Sequence, residues 1–286
     1  MNTNWQLTMM TYVFAKYSLS TALQAIHDAG FTRVELWGGS PHAAVEHLNP
    51  KSIKNLKECL QQNQLQVIMY TPEQISYPVA ISSRDDSIRQ YSINYFKRAV
   101  EIASEIGAPR LLVSSGTHLL DDHIEVAYDN CLNSLKIISS YAGEHGIKVV
   151  IEPLTQLESG LIFSHETLLN AWFALAEYPI EVMVDLVPMH LNQESLESYF
   201  HSFGSHLSVI HFVDCDGETI RHLIPGEGKI NFDQVISILR NHHFSGYLSF
   251  EIGAAYHQNP FIATQQCLSR VQSLLQAPEK GTNNPQ

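Results

Sequence analysis

The sequence predicts a (β/α)8 barrel. Three observations carry that reading. Eight short aliphatic runs recur along the chain, each of the first seven is followed by a stretch with helical spacing, and a last helix closes the chain. Eight such units in 286 residues suit one barrel domain, placed at residues 1–277. A doubly wound open sheet is the alternative. It is disfavoured because no glycine-rich phosphate loop follows the first run.

The first strand is 7–13 (LTMMTYV), followed by a helix over 18–29 that a serine opens and Gly30 stops. The second strand is 33–37 (RVELW), with a helix over 50–62 behind it. The third, 66–70 (QVIMY), leads to the longest helix, 85–106, where Ile88, Tyr91, Tyr95, Ala99, Ala103 and Ile106 fall on one stripe. The fourth strand, 110–114 (RLLVS), precedes a helix over 125–145 that ends before Gly146. Strands at 148–152 (KVVIE), 181–185 (EVMVD), 207–211 (LSVIH) and 247–251 (YLSFE) alternate with helices over 164–176, 193–203, 232–241 and 260–275. The polar stretch 278–286 (PEKGTNNPQ) reads as a disordered tail.

Composition narrows the partners. With 17 Lys and Arg against 29 Asp and Glu the net charge is −12, which repels phosphate backbones and anionic lipid. Nucleic acid and membrane are therefore not expected partners. The 15 histidines raise the expectation of metal or acid/base chemistry. Cys59, Cys131, Cys215 and Cys267 lie far apart, so no zinc ribbon or redox pair is present. No signal peptide opens the sequence and no run of 18 apolar residues occurs, so a cytoplasmic protein is expected.

Active sites of such barrels lie at the C-terminal ends of the strands. Strands five to eight end in Glu152, Asp185, His211 and Glu251. One carboxylate at such a place usually caps a helix, and one histidine is usually a satisfied core residue. Four in register would converge on one rim, where three uncompensated carboxylates would raise each other's pKa values. A cation removes that cost. An oxygen-rich set with one nitrogen favours Mn²⁺ or Mg²⁺, with Co²⁺ or Ni²⁺ as alternatives, over structural Zn²⁺.

Other residues are candidates for substrate binding. Glu158, six residues beyond Glu152, is placed to bond a polar substrate, or else is a solvated loop residue. Arg221 and His222 follow strand seven, where they would sit above the metal and meet substrate oxygens. Trp37 ends strand two and offers an apolar wall for a sugar face. His42 follows it in GGSPHA, whose glycines would let backbone approach a ligand. A Ser-Ser-Gly-Thr-His segment at 114–118 hints at hydrolysis, but no G-x-S-x-G elbow exists.

The set Glu152, Asp185, His211 and Glu251 resembles the metal site of the xylose isomerase-like barrels, especially the ketose 3-epimerases. Within that group the segments ELWGGSPHA, YTPE, IEPLTQLES, MVDLVP, HFVDCDG and IPGEGKI are similar to the fructoselysine 3-epimerases. The similarity runs from about Met9 to Leu275. Two positions depart from the tagatose and psicose enzymes: Pro188 stands where they place a histidine, and His222 where they keep an arginine. Both departures fit a ketose with a different substituent.

The resemblance implies proton transfer at carbon 3 of a ketose or ketoamine through an enediolate, with Glu152 and Glu251 as acid and base. Asp185 and His211 would be pure ligands, Mn²⁺ the expected metal, and a dimer or tetramer the expected assembly. Competing readings are an aldose–ketose isomerase, an inosose dehydratase, an endonuclease IV-type nuclease and a non-catalytic sugar-binding protein. The acidic charge disfavours the nuclease, and the paired carboxylates disfavour the mere binder.

Overall fold

A computed structural model describes residues 5–276 apart from residues 77 and 122. The tail expected at 278–286 lies outside the described residues. Eight parallel strands close in sequence order, β1 pairing with β8. They are β1 (Gln6–Met10), β2 (Arg33–Gly38), β3 (Gln66–Pro72), β4 (Arg110–Val113), β5 (Lys148–Ile151), β6 (Ile180–Asp185), β7 (Leu207–His211) and β8 (Tyr247–Phe250). The barrel predicted from the alternating runs is thus the barrel observed.

The helices are α1 (Leu19–Asp28), α2 (Pro50–Gln62), α3 (Asp86–Ile106), α4 (Ile124–Glu144), α5 (His165–Ala174), α6 (Leu186–Leu191), α7 (Leu196–Phe203), α8 (Phe232–Asn241) and α9 (Pro260–Gln276). Local chemistry starts and stops them. The Ser18 hydroxyl accepts from the Thr21 amide at 3.3 Å, and the Asp85 carboxylate accepts from the Ser87 and Ile88 amides. The side chains of Asn49 and Ser164 close capping boxes on α2 and α5.

Three expectations need correction. The first strand ends at Met10, because Thr11–Phe14 turn into a 3-10 helix. The helix expected from 193 begins only at Leu196, and the unpredicted α6 starts directly after β6. Ile88 and Tyr91, placed on the buried stripe of α3, are exposed. That helix has 21 residues, about 31 Å at 1.5 Å per residue, so its first turns overhang the much shorter neighbouring strands.

Two apolar layers hold the fold. The larger lies between sheet and helices and includes Leu23, Phe96, Leu135 and Leu239. The smaller comprises Ile68, Met69, Leu112, Val150, Met183 and Val209, all from strands. Side chains alternate across a strand, so these fill the barrel interior beneath its rim. Two bulges adjust what stands above them. The pairing of β6 with β7 steps from Val182↔Leu207 to Met183↔Val209, leaving Ser208 as the extra residue. The step sets His211 level with Asp185. The pairing of β2 with β3 steps likewise between Val34 and Glu35, with Ile68 extra, and sets Trp37 beside Thr71.

Candidate active site

The strand ends converge as the sequence suggests. Glu152 follows β5, Asp185 ends β6, His211 ends β7 and Glu251 follows β8. One donor atom from each lies within 4.8 Å of all the others. His211 Nδ1 is the hub, 3.1 Å from Glu152 Oε1, 2.9 Å from Glu251 Oε2 and 3.5 Å from Asp185 Oδ2. Glu152, Asp185 and His211 are buried, while Glu251 is partly open to the pocket.

Asp185 does two things at once. One oxygen caps α6, accepting from the Val187 amide at 2.7 Å, and the other faces the cluster. The helix cap therefore occupies one oxygen and leaves the other turned to the cluster. Its second oxygen also accepts from His222 Nε2 at 2.7 Å.

Sequence reasoning missed Glu35. This carboxylate in β2 is fully buried and faces His211 from behind, 3.2 Å from Nε2. The hydroxyls of Thr71 and Ser249 each donate to it at 2.6 Å. Glu35 is placed to accept the Nε2–H, so Nδ1 is the nitrogen turned toward the cluster. A carboxylate between apolar neighbours in the run VELW was the available signal.

Electrostatics follow from burial and crowding. Burial, reinforced by Glu251 and Asp185, pushes Glu152 up to about 7 against the pull of His211. Burial favours a neutral His211, but Glu251, Glu35 and Glu152 outweigh it and hold the ring well above its ordinary value. Burial likewise opposes the charge on His222, yet Asp185 raises it to about 9. Burial would raise Asp185, but His222 and His211 hold it well below the usual carboxylate range. The ion-free cluster therefore stores protons where a cation would relieve the same repulsion.

A divalent ion fits this set. Glu152 Oε1 and His211 Nδ1 are buried without a well-directed hydrogen bond, and an ion that displaced the Nδ1 proton would find a lone pair on each. Three carboxylates and one imidazole form the oxygen-rich environment that hard divalent ions take.

Above the cluster lies a pocket open to solvent. Trp37 and Glu158 line it, as do His222, Glu73 and Pro188. Trp37 Nε1 donates to Glu73 Oε2 at 3.0 Å, and its ring folds over Gly39, where a Cβ would meet it at 2.1 Å. Gly39 thus makes room for Trp37, rather than for a ligand. Glu158 is anchored by the Thr155 hydroxyl at 2.6 Å. Arg221 is exposed and lines only the outer mouth of the pocket, not its floor above the cluster. His42 is corrected: it lies behind Trp37 with Nε2 on the Phe14 and Tyr17 carbonyls, and does not line the pocket. Its short loop turns the ring inward, where those carbonyls satisfy it.

The loop carrying His222 is built around Asp214. That buried carboxylate accepts the amides of Cys215, Gly226, Gly228 and Ile230. Asp214 and Leu223 also pair backbone to backbone, and the Gly253 amide holds the His222 carbonyl at 2.9 Å. His222 is therefore presented by a braced turn.

The xylose isomerase-like TIM barrel family model matches residues 23–269. The chain belongs to that family. A fructoselysine 3-epimerase of Shigella flexneri is 29% identical over 272 residues, 95% of this chain and 99% of the relative. A D-psicose 3-epimerase from Clostridium cellulolyticum H10, solved with D-tagatose, superposes with a TM-score of 0.78 at 15% identity, covering 95% of this chain and all of that one. The IOLI protein, solved with a bound zinc atom, gives 0.79 at 18% identity, covering 94% and 98%. Ketose 3-epimerases and related isomerases are thus among the relatives and structural neighbours of this chain.

Proposed function

We propose that the protein inverts carbon 3 of a ketose carrying an amine-linked substituent, of the fructoselysine kind, with Glu152 and Glu251 exchanging the proton. That the chain is an enzyme of the epimerase and isomerase type follows from its relatives. The observation that carries the finer reading is the pair of carboxylates meeting His211 Nδ1 at 3.1 and 2.9 Å from two different strand ends. Two proton-transfer groups around one centre are what inversion needs, since one face loses the proton and the other regains it.

A divalent ion, Mn²⁺ first, would be held by Glu152, Asp185, His211 and Glu251. When bound it supplies Lewis acidity to the sugar carbonyl and a neighbouring hydroxyl, which makes the α-proton removable. Asp185, oriented by α6 and His222, and His211, oriented by Glu35, act as fixed ligands. Glu152 and Glu251 each present a carboxylate to carbon 3, one removing a proton and the other returning one. Trp37 covers a face of the substrate and excludes water.

The charges at the pocket wall support an amine-bearing substituent. Glu73 is held by the Trp37 indole and the Ser76 amide, and Glu158 by Thr155. Among the described residues neither makes an ion pair, so both are free to meet an ammonium on the substrate. Pro188 lines the same pocket and offers no side-chain donor to a free sugar.

The test is exchange in deuterated water with Mn²⁺, comparing fructoselysine with free ketoses. Deuterium should enter at carbon 3, and Glu152→Gln or Glu251→Gln should slow it by about a hundredfold or more with the fold retained. Exchange at carbon 1 alone, or near-normal rates in both variants, would refute the assignment.

A further inference from the structure

We propose that Glu197, His201 and His242 form a second divalent-metal site of the zinc type, remote from the pocket, that ties α7 to the end of α8. One donor atom from each lies within 4.8 Å of the other two. Glu197 and His201 are one helical turn apart on α7, the spacing that puts two side chains on one face. His242 caps the C-terminus of α8, just before the chain enters β8. Helix ends leading into strands lie at the barrel end opposite the catalytic rim.

The geometry is close to a metal-bound one. Both imidazoles address the same oxygen: Glu197 Oε1 is 2.6 Å from His242 Nε2 and 3.8 Å from His201 Nε2. Tetrahedral zinc with arms of about 2.0–2.1 Å separates its donors by about 3.3 Å. The two distances from Glu197 straddle that value, and the donors of His201 and His242 lie within 4.8 Å of each other. The His242 ring is already set. It stacks on the buried Phe200 ring at 4.7 Å with an interplanar angle of 8°, which aims Nε2 at α7. His201 meets the His242 ring edge-on at 5.3 Å.

The donor chemistry separates this site from the catalytic one. Two imidazoles and one carboxylate favour borderline zinc, whereas three carboxylates and one imidazole favour harder ions. Side-chain exposure of 70% at His201 and 40% at Glu197 leaves the outer position open to water.

Zinc bound per chain, counted after equilibrium dialysis against micromolar Zn²⁺, tests this. His242→Ala and His201→Ala should each bind one ion fewer than the wild type, with unchanged circular dichroism. His201 is largely exposed, so its variant keeps the test valid if His242→Ala does not fold. The difference of one ion stands whether or not the catalytic cluster also takes zinc. Equal zinc counts in the wild type and the folded variants would overturn the proposal.

Discussion

Replacing Glu35 by Gln tests how the cluster is held. The side chain keeps its length and shape, but it loses its charge and turns one acceptor into a donor. Each oxygen now serves two partners: one accepts from Thr71 at 2.6 Å and lies 3.3 Å from His211 Nε2, the other accepts from Ser249 at 2.6 Å and lies 3.2 Å from Nε2. The hydroxyls can rotate to accept from an amide, but the Nε2–H cannot. The loss is therefore about one charge-assisted hydrogen bond, roughly 1.5–3 kcal/mol. Because Glu35 fixes the tautomer that frees Nδ1, most of that loss should fall on metal affinity. Outer partners of this kind typically contribute about 10–100-fold. Titration of Mn²⁺ by calorimetry should show the dissociation constant rising by that factor, with an intact far-ultraviolet spectrum. An unchanged constant in the folded variant would refute the positioning role.

Two further outcomes follow from the same geometry. The ion-free protein should lose stability as pH rises. Glu152 moves from 4.5 up to about 7 and His222 from 6.5 up to about 9, so the folded state binds extra protons between about pH 4.5 and 9. Their contribution is complete below the unfolded values and lost as pH passes the folded ones. Melting temperatures in chelator should fall across that window, and Mn²⁺ should restore them most at the alkaline end; a flat profile would contradict the charge assignments. Gly39→Ala should force the Trp37 ring off its seat, since the new Cβ would lie 2.1 Å from it. A destabilisation of about 1–3 kcal/mol and a raised KM are expected, read by thermal unfolding and steady-state kinetics.

Much of the site was legible because strand ends are marked in the sequence. An apolar run that finishes in a carboxylate or imidazole reports both the strand and its rim residue, and four of these stood in order at Glu152, Asp185, His211 and Glu251. Glu158, His222 and Trp37 stood in the loops or at the strand end that border the pocket. His42 was misjudged because a loop's chain position does not say which way its rings turn. Glu35 was passed over because its partner His211 is 176 residues away.

The order of apolar runs, helical stretches and caps by itself determined the eight-unit barrel and which residues stand at its rim. Both depend on neighbours a few residues apart, through side-chain period and local hydrogen bonding. Only the closed tertiary structure decided which atoms meet. The bulge at Ser208 sets His211 opposite Asp185, and barrel closure carries Glu35 behind that imidazole. A one-residue change of register turns a side chain to the other face, and that register is set by packing between strands, not within them.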